Sequence, residues 1–457
     1  MHLGFNGQTF IPGQRICCFF YGQQYGCSIF ETGLISLFYA LFHISDVSVK
    51  LAMLTMWTAG ILFFYKALTS IKQGNNSLAF IVTLLFIVSP AWAAWSMKAR
   101  GGYLSAFLLT SVILYIIFNP ALVKKNVVLF FTGILLVLLY ECQPLFLPGL
   151  LPLLLYWLFK NDAKRKIVFV FLGAIIPFLT FIQLKKYASN FYSIVPFQLG
   201  WSYFKVIGWM PSYIYGHLTG YYYLDATYPP SVAAIVLAVI FMLIISVIII
   251  LGTVTIFRYI LFKTKISDPL FPVATLSVLA TICLTIFRGN STYRYLMPLT
   301  GYALVAVFLL IPQIKKKYLA QAFLSVMVAT GSIAIVQFYH YKFNYTSKSQ
   351  LASTISFALN NHIHCAFAGG LLEWQTMFYS NEAIICRCTS NTDRYEQYVD
   401  TVNSAWKANP ENTAIIDFAF NHDNLIADGG QKIDNGYVIF LNPDRKLLEK
   451  YGYQFGE

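Results

Sequence analysis

Charge is what this chain has least of. Asp, Glu, Lys and Arg make up 11% of its 457 residues, and only 19 of them are acids. A soluble domain carries about a quarter charged residues, so a water-soluble globule is excluded. The formal net charge of +13 is spread over loops. It forms no basic face on a soluble module, which excludes nucleic acid as a partner. Cysteine is sparse too, with eight scattered residues. Cys17 and Cys18 are adjacent, and one residue separates Cys386 from Cys388. On strands, alternate residues share a face, so His362 with His364 and Cys386 with Cys388 are possible pairs. With Cys365 they still match no structural zinc spacing. Buried thiols, or one disulfide from Cys365 in an outer compartment, are the expectation instead. Glycine-rich phosphate loops are missing: Gly369-Gly370 and Gly429-Gly430 lack the spacing. No internal repeat is visible. Met1 to Arg15 is polar and Gly-rich, unlike a cleavable signal peptide.

What remains is apolar: 58% of the residues are hydrophobic and the mean hydropathy is +0.62. The expected fold is a mostly α, polytopic membrane protein of about ten spans, followed by a small α/β extracytoplasmic domain. The runs are Val49–Leu68, Leu78–Met97, Tyr103–Phe118, Val127–Tyr140, Leu145–Phe159, Ile167–Leu184, Val232–Ile256, Leu270–Phe287, Tyr295–Ile311 and Tyr318–Phe338. Thr32–His43 is too short to span and reads as a helix along the membrane surface. Three segments follow: residues 1–48 as an outer-facing first loop, 49–338 as the membrane region, and 339–457 as the C-terminal domain. In that domain Ile363–Phe367, Ala383–Cys388, Ala414–Phe418 and Tyr437–Leu441 read as strands. Ser347–Asn360, Leu371–Phe378 and Asp393–Ala408 read as helices, which together suggest a parallel-leaning sheet. Pro90 inside the second run, and Pro144, Pro148 and Pro152 around the fifth, predict kinks.

Alternate loops carry Lys72, Lys124 and Lys125, Lys160 to Lys166, Arg258 to Lys265, and Lys315 to Lys317. That set is expected to be cytoplasmic. The opposite set then faces outward, with an aromatic loop at 185–231 and the C-terminal domain. A multi-pass membrane protein with its C-terminal domain on the outer side is the expectation that follows. An outward 1–48 segment needs a preceding span, so the chain is expected to lack its natural first helix.

Three outward stretches carry the chemistry. The first runs from Phe19 to Glu31. Tyr21, Gln23 and Tyr25 offer flat faces and amide hydrogen bonds to a sugar, Gly22 and Gly26 permit close backbone approach, and Glu31 opens an apolar helix. The same residues also suit an interfacial aromatic belt. The second, Lys98 to Tyr103, puts two cations where the positive-inside rule disfavours them. Two glycines there precede a helix start, an anion-binding arrangement. The third, Arg288 to Pro298, again presents paired cations, Arg288 and Arg294, with Tyr295. Asp46, Glu141 and Asp225 are further outer-side acids, each expected to be a structural hydrogen-bond partner.

In that order, Phe20-Tyr21-Gly22-Gln23 with Tyr25 and Glu31, Arg100-Gly101-Gly102-Tyr103, and Arg294-Tyr295-Leu296-Met297-Pro298 resemble the phrases of the GT-C superfamily of polytopic glycosyltransferases. The likeness is to its bacterial branch, related to the lipid A aminoarabinose transferase and the protein mannosyltransferases. Trp374, Glu382, Arg394, Tyr395 and Tyr398 resemble the extracytoplasmic tail of such chains. The resemblance implies a glycosyltransferase of the bacterial inner membrane that takes a sugar from a polyprenyl-phosphate donor. The acceptor would be a surface glycan, lipid or protein, and inversion at the anomeric carbon is usual. It implies that Lys98, Arg100, Arg288 and Arg294 bind the donor phosphate. Tyr21, Gln23, Tyr25, Tyr103 and Tyr295 would contact sugar or lipid, with Glu31 as the catalytic or loop-bracing carboxylate. No metal site is expected; a divalent cation is compatible with the family but not required.

The chain departs from the family twice. No acid precedes Glu31, and Ser105 stands where relatives often carry an acid. Both departures make an inactive form of such an enzyme an expectation. A transporter or flippase of lipid-linked sugars is a rival reading, although such proteins often show paired half-repeats. A non-catalytic glycan-binding membrane protein is the other.

Overall fold

The computed structural model describes residues 27, 29–71, 76–99, 102–160, 167–186, 204–220, 230–263, 268–287, 293–343, 347–369, 372–388, 396–418, 423–433, 436–453 and 455. The chain divides into two compact units, one carrying the helices up to Lys342 and the other beginning at Phe343.

In the first unit the helices are α1 (Ile29–Phe42), α2 (Asp46–Thr69), α3 (Asn76–Ile87), α4 (Pro90–Trp95), α5 (Tyr103–Phe118), α6 (Pro120–Val123), α7 (Asn126–Cys142), α8 (Leu147–Lys160), α9 (Ile167–Lys185), α10 (Phe204–Leu218), α11 (Val232–Phe262), α12 (Leu270–Phe287), α13 (Met297–Leu310) and α14 (Lys317–Phe343). Each of the ten apolar runs is helical. Among the described residues, five helical stretches are long and apolar enough to cross a bilayer: Asp46–Thr69, Ile167–Lys185, Val232–Phe262, Tyr293–Gln313 and Lys317–His340. A sixth is counted if α7 and α8, bent by 117° at Gln143–Pro144, form one span. Polar caps start several helices. Ser45 accepts from the Ser48 amide at 3.1 Å, and Ser231 accepts from the Ala234 amide at 3.3 Å. Such caps satisfy N–H groups that a helix start leaves open.

The kink expected at Pro90 is a break. The run Leu78–Met97 stops at Ile87 and restarts as α4 with Pro90 in its first turn. A proline lacks the N–H that a continuing helix needs, and its ring clashes with the preceding turn, whereas at a helix start it costs nothing. Trp92 in α4 is fully buried. It stacks on Trp57 of α2 at 5.1 Å between ring centroids, and packs edge-on to Phe86 at 5.3 Å. It also packs against Phe107 of α5 at 5.0 Å. Aromatic packing thus anchors the short helix. At the crossing of α7 and α9, a Cβ added to Gly133 would collide with the Val170 backbone. One added to Gly173 would collide with the backbone of Phe130. Small residues allow this close approach, a recurring device of membrane helix packing.

The second unit holds α15 (Ser347–Asn360), β1 (Cys365–Ala368), α16 (Leu372–Tyr379), β2 (Ile385–Arg387), α17 (Glu396–Ala408), β3 (Thr413–Phe418), α18 (Asp423–Ala427), β4 (Gln431–Ile433), β5 (Tyr437–Leu441) and α19 (Arg445–Lys450). The sheet order is β2-β1-β3-β5-β4. The first three strands are parallel, with Ala366 opposite Cys386 and Ala414, and β5 is antiparallel to β3 and β4. The sheet is parallel at one side, as the alternating pattern suggests, but β4 is an extra edge strand. Phe367, Val402, Trp406, Ile415, Val438 and Tyr453 lie in its core. Val402 and Trp406 sit four residues apart, on one face of α17.

Buried in this core is Arg387, at 0% exposure. Its Nε donates to the Cys388 carbonyl at 3.2 Å and its Nη1 to Asn403 Oδ1. The guanidinium lies 5.7–6.0 Å from the ring centres of Phe367, Tyr453 and Phe455, a cation–π arrangement. Cys365, Cys386 and Cys388 are buried free thiols. Burial pushes Cys365 up to about 12, which keeps it protonated and unreactive.

Candidate functional site

The first outward stretch enters the described residues at Cys27. Its amide donates to the Glu141 carbonyl at 2.8 Å, which hooks the chain onto the last turn of α7 just before α1 begins. Glu31 falls in the first turn of α1 and is fully buried. Ser105 Oγ donates to its Oε1 at 3.3 Å. The amides of Gly102 and Ser105, at the start of α5, also favour the ionised carboxyl. A helix start presents unpaired N–H groups and the positive end of the helix dipole, so a carboxylate suits it. The anion that the described residues bring to this glycine-led helix start is therefore the protein's own Glu31. Oε2 of Glu31 has no hydrogen-bond partner among the described residues. Desolvation outweighs the donors and pushes the carboxyl up to about 7. At about 21 Å, α1 is too short to span, so this group lies outside the crossing helices.

Gly102 makes the approach possible. Its φ is +70°, and a Cβ there would lie 2.5 Å from the Cys142 carbonyl oxygen. Only glycine meets both demands cheaply. One residue before Cys142, Glu141 pairs with Lys185 Nζ at 2.8 Å. Lys185 also lies over the Tyr140 ring at 5.6 Å. Of the other acids, Asp46 pairs with Lys50 at 3.4 Å, and Asp225 is outside the described residues.

In the second stretch, Lys98 lies over the Trp95 ring at 5.7 Å. Trp95 meets Tyr103 edge-on at 5.0 Å, and Tyr103 is buried. In the third, Arg294 sits in a 3-10 turn at Tyr293–Leu296. Its guanidinium is 5.8 Å from the Tyr295 ring centre, and both side chains are half-buried. Helix α10 packs against the third stretch. Tyr213 packs on Tyr293 at 5.2 Å, and Gly216 leaves no room for a Cβ against the Tyr293 ring. Past its end, Gly220 at φ +69° lies against Pro90 of α4, where a Cβ would be 3.0 Å from the backbone. His217 contacts Thr300 Oγ1 through Nε2 at 3.0 Å, and burial holds it neutral with a pKa of about 3. The end of α10 thus joins the Tyr293–Leu296 turn to the start of α4 at Pro90. Tyr21, Gln23, Tyr25, Arg100 and Arg288 lie outside the described residues.

A groove of about 440 Å³ runs between α10 and α11, lined by Pro211, Tyr215, Val239, Met242 and Leu243 among others. Among the described residues, no group of three His, Cys, Asp or Glu side chains is placed to hold a metal ion. Sequence reasoning had not paired Ser105 with Glu31, or Cys27 with Cys142. The glycine before α5 was the available signal for a close approach there.

The fold and these clusters define a polytopic, helix-rich membrane protein with a small α/β domain. No protein-family model matches the chain, and neither does any curated protein. Among solved structures it is similar to ArnT from Cupriavidus metallidurans in the apo state. That likeness has 11% identity and a TM-score of 0.44, over 97% of this chain and 92% of that one. It is also similar to the same protein bound to undecaprenyl phosphate, at 12% identity and a TM-score of 0.46, over 97% and 93%. Similarity of this size is in the course of the chain, and no residue role is transferred from it.

Proposed function

We propose that this protein is a GT-C-like glycosyltransferase that moves a sugar from a polyprenyl-phosphate donor to a glycan, lipid or protein acceptor at the outer face. One observation carries the reading. The phrase ending in Glu31 and the phrase opening α5 are far apart in sequence, yet they meet at the Glu31–Ser105 contact of 3.3 Å. A meeting of two of the three phrases that resemble the superfamily supports this reading.

In this reading an acceptor oxygen attacks the anomeric carbon and the bond to the phosphate oxygen breaks. Polyprenyl phosphate leaves with the bonding pair. Negative charge grows on that phosphate, so fixed cations beside it lower the barrier most. Lys98, Arg100, Arg288 and Arg294 take that role. Tyr21, Gln23, Tyr25, Tyr103 and Tyr295 line the sugar and the head of the lipid. Glu31 is a positioning residue, because its fully buried carboxyl braces the start of α5 rather than meeting the acceptor. The apolar groove beside Tyr215 and Met242 has the chemistry to take a prenyl chain.

Purified protein given a labelled polyprenyl-phosphate hexose is expected to release polyprenyl phosphate when an acceptor extract is added. Arg100→Ala should weaken donor binding at least tenfold. Unchanged donor affinity in that variant removes the phosphate assignment. Donor binding with no release under any acceptor favours a non-catalytic glycan-binding protein, a reading that Ser105 at the usual acid position supports.

A further inference from the structure

Cys27 and Cys142 are a pair, although the chain separates them widely. Both are wholly buried. The Cys27 amide is bonded at 2.8 Å to the carbonyl of Glu141, the residue next to Cys142. The two side chains lie within hydrogen-bonding reach of each other, and both are free thiols in the structure. The Cys142 carbonyl is pressed against Gly102, where even a Cβ would not fit. This fixes the end of α7 in place. A backbone bond to the residue next to Cys142 is compatible with the short Cα separation that a disulfide requires. The other described cysteines differ. Cys283 is exposed on α12, and Cys365 contacts the Val402 carbonyl inside the second unit.

We propose that Cys27 and Cys142 form a structural disulfide that fastens the first outward stretch to the end of α7. The proposal rests on the outward orientation of this end of the bundle, where an oxidising compartment sustains such bonds. Two S–H bonds break and one S–S bond forms. The two protons and two electrons pass to the disulfide of a thiol-oxidising protein, which becomes a dithiol. The bond holds Cys27, and with it the helix start bearing Glu31, against α5 and α7 independently of the Ser105 hydrogen bond.

The test uses the full chain in its own membrane. Free thiols are blocked with N-ethylmaleimide in denaturant without reductant, and the protein is digested and weighed. The expected result is a Cys27–Cys142 cross-linked peptide that disappears on reduction, while Cys283 carries the label. Cys27→Ser should turn Cys142 from unlabelled to fully labelled. In parallel, a His43→Cys variant is treated in intact cells with a membrane-impermeant maleimide. Maleimide on both Cys27 and Cys142 of the unreduced protein overturns the disulfide. If His43→Cys is then labelled from outside, the orientation survives and the disulfide alone has failed. If it is labelled only after the cells are opened, the orientation has failed with it.

Discussion

Each unit of this protein buries a chargeable side chain completely, Glu31 in one and Arg387 in the other, and the two solve the problem in opposite ways. Glu31 has one hydroxyl donor, one oxygen left without a partner and a helix start nearby. Arg387 has three rings, a carbonyl and an amide oxygen around it. A carboxyl can shed its charge by taking a proton, so a poorly solvated site raises its pKa until it does. A guanidinium has no such exit, since it stays protonated at any pH a protein survives. Its surroundings must therefore supply solvation outright. Sparse contacts around a buried acid mark a group tuned by pH, and dense contacts around a buried base mark a permanent fixture.

The strongest way to break this comparison is Arg387→Ala. It should cost the second unit about 3–5 kcal/mol, the range for deleting a large buried side chain. Hydrogen exchange of β1 and β3 in the full chain reads it, and unchanged protection would mean that Arg387 is not structural. Next comes pH. The folded pKa of Glu31 is about 7 against a reference of 4.5, so the folded state holds the extra proton between these values. Stability of the helical unit should therefore fall as pH rises from about 4.5 to 7, by at most about 1.4 kcal/mol per unit, and level off above. Thermal melts in detergent across that window check it, and a rise with pH that Glu31→Gln leaves intact would contradict it. Ser105→Val takes away the donor to Glu31 and should cost about 1–2 kcal/mol. The smallest effect is Glu31→Gln at pH 5. There the amide replaces an already neutral acid, and melting should shift by less than about 1 kcal/mol. A large loss at pH 5 would show that Glu31 is charged in the folded state.

Most of the helices were legible because a membrane bundle is apolar inside and out, and because the second unit alternates strands with amphipathic helices. Tyr103–Phe118, Leu270–Phe287 and Ser347–Asn360 begin and end where the sequence pattern places them. At Pro90 the proline marked a disturbance, but that it stops the helix outright was not legible. Ala91 to Trp95 is as apolar as the helix before it, so hydropathy continues across a stop that only the backbone feels. The bend at Gln143–Pro144 also falls at a marked proline, but its size of 117° cannot be read from hydropathy. Strand β4, Gln431–Ile433, is exposed and polar, with no alternation to betray it. In the site, Glu31 stood out as a lone acid before an apolar helix. Its partner did not, because a serine hydroxyl is almost silent in any hydrophobicity pattern and gains meaning only when folding brings a carboxyl to it. Cys27 and Cys142 were likewise unpaired in one dimension, since their neighbourhood exists only after α7 closes on the start of α1.

The crossing of α7 and α9 at Gly133 and Gly173 leaves main chain pressed on main chain. Two rods seated that deeply have no slack to slide or roll, so they behave as one rigid post. Bending of the bundle then costs least at the interruptions at Ser89–Pro90 and Gln143–Pro144, where the run of helical hydrogen bonds is already cut.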